Sequence, residues 1–113
     1  MGTRAKGQAA EQAAADFLAA RGLRLVTRNW RCRGGEIDLV MRDGATLVFV
    51  EVRARRGMAF GGAADSITSA KQARVILAAR HFLAAQGLDL PCRFDAVLVQ
   101  DGSLRWIQGA FGA

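Results

Sequence analysis

The chain has 113 residues, enough for one modest core and too few for two ordinary domains. Sixteen basic residues against ten acidic ones give a formal charge of +6 and a pI near 11.0, which points to a polyanionic partner and excludes an acidic solvating chain. No apolar stretch approaches the length of a membrane span, the start (Arg4, Lys6, Glu11) lacks a signal-peptide core, and Cys32 and Cys92 form neither a zinc pattern nor a CxxC, so a cytoplasmic chain with free thiols is expected.

The predicted order is α-β-β-β-α-β-β in a single domain, 1–113. An alanine-rich helix spans roughly Thr3 to Ala20 and stops at Gly22. Glu11 lies on or near its apolar stripe of Ala14 and Leu18, where a carboxylate can face a sheet; an exposed helix glutamate is the alternative. Leu23–Trp30 reads as the first strand. Arg24, Arg28, Arg31 and Arg33 crowd the approach to the next one. Trp30 sits among them, either to stack on a base or as a half-buried strand aromatic. Fourteen of the sixteen basic residues are arginines. A coding bias towards Arg, Ala and Gly accounts for that ratio but not for the excess charge.

The next segment, Gly35–Arg55, carries two of the three glutamates in the chain. Glu36–Met41 and Leu47–Arg53 read as strands rich in Ile, Leu, Val and Phe, joined by Asp43-Gly44, a favoured hairpin pair. With those two residues as the loop, Arg42 pairs with Ala45, Asp38 lies opposite Phe49, and Glu36 lies opposite Glu51. Glu36, Asp38, Glu51 and Arg53 then share one face, and Ile37, Leu39, Val48, Val50 and Val52 form an apolar face on the other side. Like charges facing each other on a sheet repel, and a divalent cation would turn that repulsion into ligation. A solvated outer face is the plainer alternative.

Ala54–Ser66, with Gly57, Gly61 and Gly62, reads as a substrate-facing or simply flexible loop. A second helix follows, with Ser69 as N-cap and Gln72 reaching back, up to Gln86 and the stop at Gly87. Val75, Ala78, Ala79 and Phe82 make its apolar stripe, with Ile76 and Leu83 beside it. His81, the only histidine, has no ligand-like neighbour in sequence. Phe94–Gln100 and Leu104–Gln108 form a last hairpin across Asp101-Gly102, with Asp95 beside Arg93 as a structural ion pair or strand-end polar group.

Asp38, a hairpin, then Glu51-Val52-Arg53 resembles the signature of the PD-(D/E)xK nuclease superfamily. Gly7…Glu11, Arg28-Asn29, Gly35-Glu36-Ile37-Asp38-Leu39, Val48-Phe49-Val50-Glu51-Val52-Arg53, Phe60-Gly61 and Arg93-Phe94-Asp95 more closely resemble the YraN-like family of small bacterial proteins, over nearly the whole chain. The resemblance implies an α/β, restriction-endonuclease-like αβββαβ core with a mixed central sheet flanked by helices. It implies Mg²⁺ or Mn²⁺ on Asp38 and Glu51, with Glu11 as an outer ligand or water-orienting group and Glu36 in support. Similarity to archaeal Holliday junction resolvases implies branched or flapped DNA, or other structured nucleic acid, as substrate; a chain this small would cut both strands of a junction only as a homodimer. Phosphate contacts are expected from Arg28, Arg31, Arg33, Arg53, Arg55, Arg56 and Lys71.

One departure stands out. The superfamily's lysine position holds Arg53, which can clamp phosphate but stays protonated and cannot serve as a base. Lys71 is a candidate substitute, its other reading being a solvated first-turn lysine. The leading expectation is a metal-dependent endonuclease, self-sufficient or with an activating protein partner. The alternatives are a non-catalytic nucleic-acid-binding module of the same fold and, further off, a protein-interaction domain.

Overall fold

The computed structural model describes residues 2–55 and 67–112, with side chains from residue 7 onward except that of residue 55. The glycine-bearing loop, Arg56, Phe60-Gly61 and the side chain of Arg55 lie outside what is described. The elements are α1 (Gly2–Ala20), β1 (Arg24–Cys32), β2 (Gly35–Asp43), β3 (Thr46–Arg55), α2 (Ser69–Gln86), β4 (Cys92–Gln100) and β5 (Ser103–Phe111). They follow the expected order, each strand running a few residues longer than its apolar run.

One five-stranded sheet has the order β1-β2-β3-β4-β5. β3 and β4 are parallel and the other neighbours antiparallel. The parallel step requires a crossover, and α2 supplies it. The helices cover opposite faces. Ala14, Ala15 and Leu18 of α1 pack with Leu39, Met41, Val48, Val50 and Val97. Val75, Ala78, Ala79 and Phe82 of α2 pack with Ile37, Val40, Leu47, Phe49 and Phe94. Burial on both faces explains why β3 reads as a nearly unbroken apolar run. It also corrects the expectation of one apolar face, because Ile37 sits in the α2 layer while Leu39, two residues on, sits in the α1 layer. Trp30 meets Phe82 edge-on at 5.6 Å, so it is a core-margin aromatic rather than a platform for bases.

The first hairpin differs from the expected register. Asp43 pairs with Thr46, so the loop is Gly44-Ala45. Gly44 alone takes positive φ (61°), as the first loop position of a type II′ turn requires, and Asp43 stays in the strand. The pairing therefore shifts by two, an even number, which leaves the faces unchanged along the paired stretch from Leu39 to Val50. The second hairpin turns at Asp101-Gly102, both at positive φ as in a type I′ turn. The cap of α2 is Thr68, one residue before the expected Ser69. Its hydroxyl accepts from the Lys71 N–H, while Gln72 Nε2 donates to the Ile67 carbonyl. Gly87 ends the helix in the left-handed region.

Two places hold these layers in register. Gly35, at the start of β2, lies so close to α2 that an added Cβ would fall 2.4 Å from the Arg74 carbonyl oxygen and 3.2 Å from Ala78 Cβ. Asp95, fully buried on β4, accepts from Arg93 Nε (2.9 Å) and Nη2 (3.1 Å), Trp106 Nε1 (2.9 Å) and the Gly109 N–H (3.0 Å). Its carboxylate stands in for a backbone acceptor where the β4–β5 register shifts between Phe94 and Ala96. Arg93 also reaches Asp43 at 3.4 Å, tying the first hairpin to β4.

Gly35→Ala is expected to push α2 off the sheet and cost about 2 kcal/mol or more, read as a lowered midpoint in urea unfolding. Asp95→Ala removes the buried acceptor shared by the half-buried Arg93 guanidinium, the Trp106 indole N–H and the Gly109 N–H. A loss of about 3–5 kcal/mol is expected in the same measurement.

Candidate functional site

The β2–β3 ladder runs from Asp43↔Thr46 to Leu39↔Val50 and ends there. Beyond that point β2 pairs only with β1, and β3 continues beside β4. The two central strands fork, and the fork is lined by carboxylates. Asp38 stands at its vertex, where Oδ2 accepts the Val52 N–H at 2.8 Å, a side chain taking the place of a ladder carbonyl. The Asp38 and Glu51 carboxyl groups come within hydrogen-bonding reach of each other. This corrects the expected pairs, Asp38 with Phe49 and Glu36 with Glu51. The cross-strand neighbour of Glu36 is Arg31 on β1, whose Nε lies 3.4 Å from Oε2.

Glu51 is only 1% exposed, and neither of its oxygens accepts a hydrogen bond from any described donor. Two carboxylates facing each other are both acceptors, so a bond between them needs a proton on one of them. Burial, then the charge of Asp38, pushes the Glu51 carboxyl up to about 8. Burial also raises Asp38, against the pull of the Val52 N–H and Lys71. Buried acceptors without donors are rare in folded proteins and call for an explanation.

Lys71 comes from the first turn of α2, and its Nζ lies 3.6 Å from Glu51 Oε1 with the side chain 28% exposed. It is therefore not the solvated surface lysine that its position allowed. Arg53, also on the fork side of β3, acts electrostatically on Glu51 and lowers its pKa. Glu11, on α1, is half-buried; burial and then Asp38 raise its pKa, and a hydrogen bond from Asn29 opposes this. Among the described residues, no three carboxylate, imidazole or thiol groups converge closely enough to enclose a metal ion. Glu11 and Glu36 thus border the Asp38–Glu51 pair rather than closing a cage with it.

Of the expected phosphate contacts, Arg28 and Arg31 are exposed on β1 and Arg33 is exposed in the turn after it. Arg28 is held by Gln12, as Nη1 donates to Oε1 at 2.7 Å. His81 is exposed, away from these groups. Sequence reasoning did not assign a role to Asn29, which takes positive φ (53°) inside a strand. The available signal was an asparagine, the non-glycine residue most at ease in that conformation, within a segment otherwise reading as strand.

The fold and site define a class: a mixed α/β sheet between two helices, with an acidic pair and a lysine where its central strands part. The family model described as "Uncharacterised protein family UPF0102" matches residues 10–99. The chain is 60% identical over 111 residues to a UPF0102 protein of Cupriavidus taiwanensis, covering 96% of this chain and 84% of the relative. It is 56% identical over 109 residues to one from Nitrosomonas europaea, covering 94% and 92%, and 53% identical to one from Aeromonas hydrophila, covering 94% and 84%. The chain belongs to UPF0102, the YraN-like family. No helix among the described residues is long and apolar enough to cross a membrane.

The raised carboxyl at Glu51 sets a pH dependence. Between its ordinary 4.5 and about 8, the folded chain keeps a proton that the unfolded chain has released. Stability is therefore greatest below that window and falls as pH rises through it. Melting without divalent metal is expected to show a lower midpoint at about pH 8.5 than at about pH 5. Glu51→Gln, uncharged at every pH, should flatten most of that slope.

Proposed function

We propose that this protein is a divalent-metal-dependent endonuclease, hydrolysing phosphodiester bonds in DNA, with branched or flapped DNA as its preferred form. The observation that carries the reading is the buried Glu51 carboxylate, without a hydrogen-bond donor, beside Asp38 at the fork. A hard cation answers the need of both groups at once. The donor set fits: two carboxylates supply oxygen ligands, and water with a substrate phosphate oxygen would complete the shell that Mg²⁺ prefers. When bound, Mg²⁺ or Mn²⁺ lowers the pKa of a coordinated water and offsets charge on the phosphate.

The residues around this pair divide the remaining work. Asp38, fixed by the Val52 N–H, would hold the ion together with Glu51. Glu51 would bind the ion as the carboxylate, so metal affinity is expected to rise with pH through the window set by its raised pKa. Lys71 brings three N–H donors to within 3.6 Å of Glu51, in position to orient the attacking water or hold a phosphate oxygen. It thereby supplies from α2 the ammonium that Arg53 replaces on β3. Arg53 provides a fork of donors for the scissile phosphate. Glu11, held by Asn29, orients water from the α1 side. The net charge of +6 gathers the polyanion. Arg53 favours a non-catalytic module, and Lys71 beside Glu51 supports the catalytic reading against it.

The test is cleavage of labelled four-way junction, flap and blunt duplex DNA with Mg²⁺ or Mn²⁺, with binding measured in Ca²⁺. Metal-dependent cutting is expected, falling by about 10²-fold or more in Asp38→Asn and Glu51→Gln. Lys71→Met should cost at least about tenfold in cutting while changing binding little. Tight, salt-sensitive binding with no cutting under any metal would overturn the enzymatic reading, and absence of both would overturn the nucleic-acid reading.

A further inference from the structure

A cleft of about 410 Å³ lies between α1 and the edge strand β1, lined by Gln8, Glu11, Gln12, Arg28 and Asn29. A smaller lobe of about 110 Å³ extends it towards Arg31. The β1–β2 register on either side of Asn29, Arg28↔Leu39 and Trp30↔Ile37, places Asn29 across from Asp38. Glu11 belongs to the cleft wall and also feels the charge of Asp38. Two residues of the cleft wall, Glu11 and Asn29, thus neighbour Asp38 of the carboxylate pair.

Its chemistry is specific. Three carboxamides, two guanidiniums and the Glu11 carboxyl line it. Each carboxamide offers donors and an acceptor together, the combination that matches the hydrogen-bonding edge of a base. Guanidiniums bind phosphate oxygens or lie flat on a base. The groups are also pre-set. Gln12 Nε2 donates to Asp16 Oδ1 at 2.8 Å while Oε1 accepts from Arg28 at 2.7 Å, which fixes both amide and guanidinium. Asn29 holds a left-handed backbone, a conformation that among described non-glycine residues is shared only with Asp101 in a hairpin loop. Such conformations gather at ligand sites because the surrounding structure must maintain them. The volume suits one small ligand and is too confined for a duplex.

We propose that this cleft receives an unpaired nucleotide of the substrate strand, with Gln8, Gln12 and Asn29 against the base edge and Arg28 and Arg31 on the flanking phosphates. The assignment rests on the nuclease reading and deepens it: the protein would select strands with a single-stranded segment next to the bond it cuts.

The test is binding by fluorescence anisotropy in Ca²⁺, free of turnover. The probes are a DNA duplex with a single-stranded flap, the same duplex blunt-ended, and the flap strand alone. Wild type is compared with the double variant Gln8→Ala/Gln12→Ala, both positions being exposed on α1, and with Asn29→Gly, which keeps the left-handed backbone and removes the amide. Wild type should favour the flap and the free strand over the blunt duplex. Each variant should lose about fivefold to tenfold on those two probes and hold its blunt-duplex affinity. Equal affinity of wild type for flapped and blunt duplex, or variants that bind the flap as wild type does, would overturn the cleft assignment while leaving the nuclease reading in place. No binding to any probe would overturn both.

Discussion

A carboxylate pair, Glu51 buried and Asp38 half-buried, where two central strands part is the constraint around which this molecule is arranged. Taking Glu51 out of water beside Asp38 is unfavourable for the charged pair, and the surroundings reduce the cost only in part. The Val52 N–H steadies Asp38, Lys71 approaches from α2, and Arg53 contributes from the same strand. Each contribution comes from an element that the parallel β3–β4 step brings into place. The crossover helix covers one face of the sheet and also delivers a cation to its centre.

The same device appears twice. Asp38 and Asp95 both place a side-chain carboxylate where a backbone acceptor would sit, and both do so where strand pairing is interrupted. Their surroundings separate their roles. Asp95 is saturated by a bidentate arginine, an indole and a backbone N–H, so nothing is left for a ligand. Asp38 faces another carboxylate whose oxygens accept nothing from the described donors. A saturated buried carboxylate stabilises the fold, whereas an unsaturated one beside a second carboxylate is the feature on which the proposed cation site rests. The two aspartates differ in burial and in how fully their oxygens are satisfied.

Function under this view is divided between two zones that meet at Asp38. The fork gathers hard oxygen ligands and a lysine. The α1–β1 cleft gathers amides and arginines across from it. Glu11 touches both, through Asn29 on one side and the field of Asp38 on the other. A substitution at Glu11 would therefore disturb both zones together.

The local reading carried far because the strands and helices here follow their own patterns. The alanine-rich first helix, the apolar stripe of Val75, Ala78, Ala79 and Phe82, the Gly87 stop and the Asp101-Gly102 turn depend on near neighbours in the chain, so their residues alone were enough to place them. The alternation held for the paired part of the hairpin, from Leu39 to Val50, despite a two-residue error in register, because side chains repeat every second position. It broke at Asp38, where Ile37 and Leu39 enter opposite layers and Glu36 is separated from Glu51. Tertiary structure decided the rest. Whether Asp43 belonged to the loop depended on which residue the turn holds at positive φ, and whether the strands stayed paired depended on a side chain entering the ladder. The position of Lys71 was invisible for a similar reason: a first-turn lysine faces solvent or a site according to how its helix lies on the sheet. Sequence determined which groups carry charge and which faces are apolar; only the packing of elements distant in the chain decided which charges meet and which of them lack partners.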